Sequence, residues 1–514
     1  MKKFLTTLAA LLSCVMTTSL FTACNDVDDN PIIADNEAEY AILFYGSGAS
    51  DRDAYMMANM VDMFLAKPSS YDKVKIAVQY KYSSIEDMNT NMFEPMLESG
   101  IAQERVDKVR ELFESVAMQT VRFVVDNTVD NPTNDVLTTP ESIYGPKNCE
   151  VAHVDSLTNF INWATKACKA KHYILVLGGN AYPYTPFEEL PFTAPSQTRT
   201  LMTDYYHETE VSFTAQSLQY ALSRTHCHMD AIYFDARNIN SIEYMFELKN
   251  LTDYVVASTL SVGKYFGRYN VLIDELAEHT ADLETALSNF SKQSVAYWDE
   301  KNELYGDDTE DKDYFHDISV IRTRSLDAFG AKLKEFVDRL VAAYANDDAK
   351  AKVDAVTNSA NRIVSGDANF ELKDYVEAIM KALPDVFDQN FANALLESYG
   401  NCVVSQYCND FLMKENRQIN CSVLLAAQGN VYCRGYKFDD PNTINLDFIF
   451  YADGKLEIYE DGITAPVYTD LWDSTLADTY QQLTFDKVTG WSRWLLLNEQ
   501  IPNKQYMFES LKQN

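Results

Sequence analysis

Beyond its N-terminus the 514-residue chain has no apolar run of the ~20 residues that a membrane helix needs, which excludes a polytopic helical membrane protein. Positive charge is scarce: 43 Lys and Arg face 76 Asp and Glu, a formal net charge of −33. That field repels phosphate backbones, argues against nucleic acid as a partner, and favours cations and basic peptides. Cysteine is limited to 9 residues without a Cys-x-x-Cys pair, which argues against a structural zinc site. No internal repeat or low-complexity tract is present, and 46% apolar with 23% charged residues excludes wholesale disorder and a collagen-like repeat. Aromatic residues are abundant, with 32 Tyr and 27 Phe as material for large cores. The length predicts about three folded units.

The N-terminus carries an address. Met1-Lys2-Lys3 is a positive start, and Phe4 to Phe21 is mostly apolar with small residues, the form of a secretory signal. It ends in Leu20-Phe21-Thr22-Ala23-Cys24, which resembles a bacterial lipobox with Phe where Leu is usual. Cleavage before Cys24 and acylation of that residue are expected, and several acyl chains anchor stably where one does not. Asn25 to Asn30 forms a polar, acidic tether that resembles the surface-export signals of some Gram-negative anaerobes. The expected location is the cell envelope, as an outer-membrane lipoprotein exposed at the surface. The remaining cysteines, Cys149, Cys168, Cys227, Cys402, Cys408, Cys421 and Cys433, are odd in number and irregular in spacing, so no disulfide framework is expected. Cys402 with Cys408, or Cys421 with Cys433, are the pairs an oxidising compartment could close.

Downstream, short runs rich in β-branched and aromatic residues recur: Tyr40–Tyr45, Lys75–Tyr80, Thr120–Val125, Tyr173–Leu177, Ala231–Phe234 and Tyr254–Ser258. Several are nearly continuous in apolarity, as parallel strands covered on both faces must be. Helical segments alternate with them over Ala54–Leu65, Ala102–Ser115, Ser156–Ala170, Thr214–Ser223 and Ser241–Leu248, with Ser156 as the expected cap of its helix. The alternation predicts an α/β fold, an αβα sandwich on a mostly parallel sheet. From about 290 to 400 the pattern turns helical, with apolar residues at 3.6-residue spacing from Leu326 to Tyr344. The run Gly306 to Asp313 ahead of it reads as a solvated acidic loop, with calcium as the alternative. The last hundred residues look strand-rich, and Asp453-Gly454 between Phe448–Tyr451 and Leu456–Tyr459 is a hairpin signal. The expected division is a signal (1–23), a lipidated tether (24–38), an αβα core (39–290), a helical region packing on it (291–400) and a strand-rich C-terminal region (401–514).

Function in an open parallel sheet sits at the carboxyl ends of the strands. The fifth strand runs Met229-Asp230-Ala231-Ile232-Tyr233-Phe234-Asp235-Ala236-Arg237, followed by Ile242-Glu243 and by the strand Tyr254-Val255-Val256-Ala257-Ser258. This resembles the nucleophile region of the clostripain family of cysteine peptidases, which share the caspase-like fold. In that family the strand ends in Phe-Asp-Ala-Cys, a Val/Ile-Glu pair opens the next helix, and the following strand ends in Ala-Ser. Arg237 stands where the resemblance implies the nucleophilic Cys. The family's His follows the preceding strand, and Tyr173–Leu177 leads here into Gly178-Gly179-Asn180. Gly179 matches the His position best, with Gly178 if the register slips by one. The resemblance extends to the Gly46-Ser47-Gly48 loop, the Asp317–Ile321 segment with its long helix, and the closing Thr489-Gly490-Trp491. In the family the acid equivalent to Asp235 lines a pocket for a basic side chain, and a second acid follows the Ala-Ser strand. Here that stretch carries Lys264 and no acid, which puts the pocket in doubt.

A thiol attacks a peptide carbonyl as thiolate, generated by an imidazole that later protonates the leaving amine. Arg is permanently protonated and cannot be that nucleophile. The resemblance therefore implies no catalytic residue, with Gly179 and Arg237 at the dyad positions, Asp235 as a pocket remnant, and Tyr182, Tyr184, Phe187, Tyr265 and Phe266 around the cleft rim. His226-Cys227-His228 has metal-like spacing but precedes the fifth strand, at the opposite edge of the sheet. His172 also lies at a strand start, and His207 lies between the fourth and fifth strands without an evident Cys partner. No metal or cofactor is required. The expected protein is a surface lipoprotein that binds a peptide or a protein without cutting it. A cysteine endopeptidase with a different dyad, and a structural or adhesive surface protein, are the competing readings.

Overall fold

The computed structural model describes residues 37–48, 52–82, 85–115, 120–125, 151–181, 201–204, 211–213, 215–236, 239–259, 267–305, 317–359, 369–408, 424–426, 449–452, 455–458 and 483–497. Its centre is a sheet of eight strands: β1 (Ala38–Ser47), β2 (Val74–Lys81), β3 (Thr120–Val125), β4 (Ala170–Gly178), β5 (Met229–Asp235), β6 (Thr252–Ala257), β7 (Asp317–Arg322) and β8 (Val403–Cys408). Their spatial order is β8-β7-β6-β5-β4-β1-β2-β3. The inner strands β2, β1, β4, β5 and β6 pair in parallel. The outer strands β3, β7 and β8 pair antiparallel. The strand order turns back between β1 and β4, which makes their carboxyl ends the natural place for a cleft.

Helices cover both faces: α1 (Asp53–Val61), α2 (Gln103–Ser115), α3 (Val154–Ala167), α4 (Ala215–Ser223), α5 (Ile242–Leu248), α6 (Tyr269–Glu278), α7 (Leu283–Tyr305), α8 (Leu326–Ala343), α9 (Asp347–Ser359), α10 (Leu372–Ala382), α11 (Gln389–Gly400), α12 (Thr484–Thr489) and α13 (Ser492–Leu497). The period of two along β1 divides the core between them. Ala41, Leu43 and Tyr45 pack with α3, α4, α5, α8 and the C-terminal helices. Tyr40, Ile42 and Phe44 pack with α1, α2, α6 and α7. Strands buried on both faces explain why their sequences read as apolar runs, and the expected αβα architecture is the observed one.

Two details differ from expectation. The α3 cap is His153, whose Nδ1 accepts the Asp155 N–H at 3.1 Å, while Ser156 lies buried inside the helix. The sheet also runs past residue 290, taking β7 from the region expected to be helical and β8 from the start of the region expected to be strand-rich. Cys402 and Cys408 are both free thiols, the state expected of scattered cysteines without a disulfide framework. The hairpin between Ile449–Ala452 and Lys455–Ile458 is formed, with Ala452 opposite Lys455, although Asp453 and Gly454 themselves lie outside the described residues.

The closing motif is structural. Gly490, at φ +66°, ends α12 in the left-handed conformation that glycine adopts at little cost. Trp491 and Trp494 are then carried into the core with no exposed surface. Gly330 lets α8 approach its neighbours closely, since a Cβ there would stand 2.7 Å from Val488 Cγ1 and 2.9 Å from Phe246 Cζ. Thr484 Oγ1 donates to Glu247 Oε2 at 3.0 Å, which ties α12 to α5. Among the described residues no helix is long and apolar enough to cross a membrane.

Candidate functional site

The carboxyl edge of β1, β4 and β5 is built by close approach of backbone to helix. Gly178 ends β4 beneath α1, where a Cβ would meet Met56 Sδ at 2.8 Å. In register, Gly178 stands opposite Asp235, and the Gly179 N–H donates to the Asp235 carbonyl at 3.2 Å. β4 and β5 are thus adjacent and parallel, as the resemblance requires. Gly179 is enclosed: a Cβ would lie 3.3 Å from Ser47 O and 3.4 Å from Met202 Cγ. Met202 is held there by its N–H, which donates to Asn180 O at 2.6 Å, and it adopts an unusual positive φ of 63°.

Asp235 points to the α1 and α6 face with no exposed surface. Its Oδ2 accepts from Tyr269 Oη at 2.7 Å and from Asn59 Nδ2 at 2.9 Å. Burial pushes its carboxyl above the usual carboxylate range, while the Arg52 charge and those two hydrogen bonds pull it back. Burial first, and then Asp235, drive the Tyr269 and Tyr233 phenols well above their ordinary value, so both remain neutral, and of the two it is Tyr269 that donates to Asp235. Nearby, Tyr80 Oη donates to Asp53 Oδ1. Arg268 Nε meets Asp62 Oδ2 at 2.6 Å, with its guanidinium 3.6 Å from the Tyr297 ring centroid. Beyond β6, Asp317 accepts from Ser258 Oγ at 2.8 Å and from the Thr259 N–H at 3.0 Å, fixing the end of that strand.

The sequence-predicted residues divide sharply. Gly179, Gly178 and Asp235 come together. Arg237, Lys264, His207, Cys24, the acidic run 306–313, and the rim candidates Tyr182, Tyr184, Phe187, Tyr265 and Phe266 lie outside the described residues. Cys421 and Cys433 lie outside them as well. Among the described residues, no thiol or imidazole hydrogen-bonds to the Asp235 carboxylate or stands among the atoms nearest a Cβ at Gly179.

The described cysteines stand elsewhere. Cys168 and Cys227 precede β4 and β5, with thiols pushed by burial up to about 12 and about 11. Cys402 precedes β8 and is pushed up to about 12 for the same reason. Cys408 ends β8 opposite Asp317, separated from β5 by β7 and β6, or about 14 Å at the usual strand spacing. A nucleophilic cysteine needs its thiol acidity raised, and the three shifts run the other way. His228 Nε2 lies 3.2 Å from Asp253 Oδ1, and His172 Nδ1 lies 2.7 Å from Asp230 Oδ1, both at strand starts. No group of three metal-ligating side chains occurs among the described residues.

Sequence reading missed Arg52, Asn59 and Tyr269. Asn59 is the one polar residue in Met56-Met57-Ala58-Asn59-Met60-Val61, and that interruption is the signal it offered.

The family model described as "Clostripain family" matches residues 98–437. A secreted C11 cysteine protease from Bacteroides thetaiotaomicron, solved with an irreversible peptide inhibitor, aligns with a TM-score of 0.54 at 16% identity. That alignment covers 88% of this chain and 99% of the protease. An inactive zymogen C11 protease from Parabacteroides distasonis aligns with a TM-score of 0.50 at 13% identity, covering 89% and 99% of the two chains. Identities this low are a likeness of fold. No curated protein matches the sequence.

Proposed function

The chain belongs to the clostripain family, and from that premise we propose that it is a surface lipoprotein that uses a peptidase fold to bind a peptide or a protein and does not cleave it. The observation that carries this reading is Arg237 in Phe234-Asp235-Ala236-Arg237, at the position where the family places its nucleophilic Cys. Gly179, at the end of β4, matches the family's His and offers no proton acceptor on its side chain. The loss of one partner of such a pair costs several orders of magnitude in rate, and the loss of both leaves no acyl-enzyme route. The close approach of Ser47 O and Met202 to Gly179 supports the same reading, because even a Cβ there would require its neighbours to give by a few tenths of an ångström. A peptide is the natural ligand class for a fold whose neighbour binds a peptide inhibitor. Asp235, enclosed by Tyr269 and Asn59, is the remnant of the pocket, and the aromatic residues from Tyr182 and Tyr265 onward are assigned to the cleft rim. Cys24 is assigned as the lipid anchor in the outer membrane, and the acidic surface disfavours nucleic acid.

The purified wild-type chain is expected to leave arginyl and lysyl peptides uncut and to resist substrate-like thiol probes. Arg237→Cys alone stays inactive for want of an imidazole, and Gly179→His alone for want of a nucleophile. The combined variant recovers at most a trace of hydrolysis. Turnover by the wild type, with stoichiometric labelling of any cysteine, overturns the reading. Independently, Cys24→Ala is expected to move the protein from the membrane to the soluble fraction, and a variant that stays membrane-bound removes the lipoprotein assignment.

A further inference from the structure

The chain enters its sheet at one fixed point. The Ala38 N–H donates to Lys169 O at 2.9 Å, and the N–H groups of Glu39 and Tyr40 donate to Lys73 O at 2.9 and 3.0 Å. The start of β1 is thus held between the starts of β4 and β2. β1 is an inner strand, with β2 and β3 on one side and the other five on the opposite side. Its ten residues, at ~3.3 Å each, put the carboxyl edge about 30 Å from the point of entry. Strands β2, β4, β5 and β6 run in the same direction, so their starts share the edge where the chain enters. That edge is also poor in excess negative charge. Counting the first two residues of each of these five strands and the two before it, Lys73, Lys75, Lys169 and Lys171 stand against five carboxylates, whereas the whole chain sets 43 cations against 76 acids. The imidazoles of His172 and His228 lie there too, both exposed. An anionic headgroup layer repels the chain as a whole and this edge least. Between Cys24 and the point of entry lies only the stretch 24–38, whose full extension at ~3.5 Å per residue is about 50 Å. To lay the carboxyl edge on a membrane, that stretch would first have to clear a flank ~10 Å wide, over a helical layer or past β2 and β3. It would then have to run ~30 Å back along β1, which takes nearly all of its reach. With the amino edge towards the membrane, none of that reach is spent.

We infer that the amino edge of the sheet is the membrane-facing surface of the anchored protein, and that the carboxyl edge, with its cleft, opens away from the lipid. The inference rests on the lipid anchor of the proposed function and deepens that reading by saying where the ligand comes from. It arrives from the aqueous side, as a soluble peptide or protein, and a component embedded in the same membrane is out of reach of the cleft.

The test uses the full lipidated chain in vesicles of phosphatidylethanolamine and phosphatidylglycerol that carry an acceptor dye on their outer headgroups. A donor dye is attached either at Asn250→p-azidophenylalanine, exposed just before β6, or at Glu86→p-azidophenylalanine, exposed shortly after the end of β2. Energy transfer to the lipid is expected to be at least about twofold greater from position 250, because ~30 Å of strand separates the two edges. Lys169 and Asp87, exposed at the same two edges, supply a second pair, so that a label that disturbs folding at one position does not decide the result. Equal transfer from the two edges, or greater transfer from position 86, in a chain that sediments with the vesicles overturns the orientation and leaves the anchor standing. A chain that does not sediment with them overturns the anchor, and the orientation falls with it.

Discussion

At the amino-terminal edge of the sheet, His172 meets Asp230 and His228 meets Asp253 with imidazoles 41% and 52% exposed. Lys171 pairs with Glu39 in the same solvated fashion. At the carboxyl edge, by contrast, Asp235 and Asp317 have no exposed surface, and Asp62 and Arg268 retain little. The residue types overlap, but the physics differs. Water screens the first set, so each pair adds little to stability. The second set has been stripped of water and must be satisfied by protein groups, which makes every partner there costly to lose. In a parallel sheet the carboxyl edge is where chemistry is done, and here that edge is occupied by internal bonds.

The contrast can be broken by substitution. Removing a dehydrated partner should have the largest effect. Arg268→Ala leaves the Asp62 carboxylate, 9% exposed, without its cation and should lower unfolding stability by about 3 kcal/mol, read from urea midpoints. A midpoint equal to wild type would show that the carboxyl edge is as wet as the other.

Asp235→Asn should show itself through pH. Because burial raises the Asp235 carboxyl, the folded chain keeps a proton there that the unfolded chain has released. Its contribution to stability is therefore full below the ordinary carboxylate value near pH ~4 and fades as pH rises through the folded-state value. The variant lacks that decline, so its melting temperature should fall less than that of wild type between acid and neutral pH. Parallel profiles would mean that the Arg52 charge cancels the cost of burial.

The smallest effects are expected at the amino edge. His172→Ala and His228→Ala should each change stability by less than about 1 kcal/mol, measured in the same urea experiment. A loss of several kcal/mol at either would place that edge among the dehydrated sites.

The same contrast explains what the sequence made legible. Strands β1 to β6 could be read from their apolar runs because both faces are covered. β8 escaped because Val403 to Cys408 is a half-exposed edge strand with no position fully buried, so neither a continuous run nor an alternation marks it. The cap of α3 was misplaced because an imidazole of His153 does the work usually done by a hydroxyl, and Ser156 lay three residues downstream to suggest otherwise. At the site, Gly178, Gly179 and Asp235 were legible because they follow strands directly. Asn59 and Tyr269 reach Asp235 across 176 and 34 residues of chain, and a single sequence holds no signal for which polar residue of one segment meets a carboxylate of another.

The bond from Thr484 to Glu247 joins residues 237 positions apart, and that separation has a consequence for how the molecule assembles. The α5 and α8 surface around Phe246 and Gly330 remains uncovered until α12 arrives with Trp491 and Trp494, near the end of the described chain. Contacts of such long range close late and slow the final step of folding. Until then a partly folded chain shows a broad apolar flank to its surroundings, the kind of surface that draws aggregation and chaperones. A chain shortened before Thr484 would never cover that flank, so the last helices act as the latch whose closing ends the protein's vulnerable period.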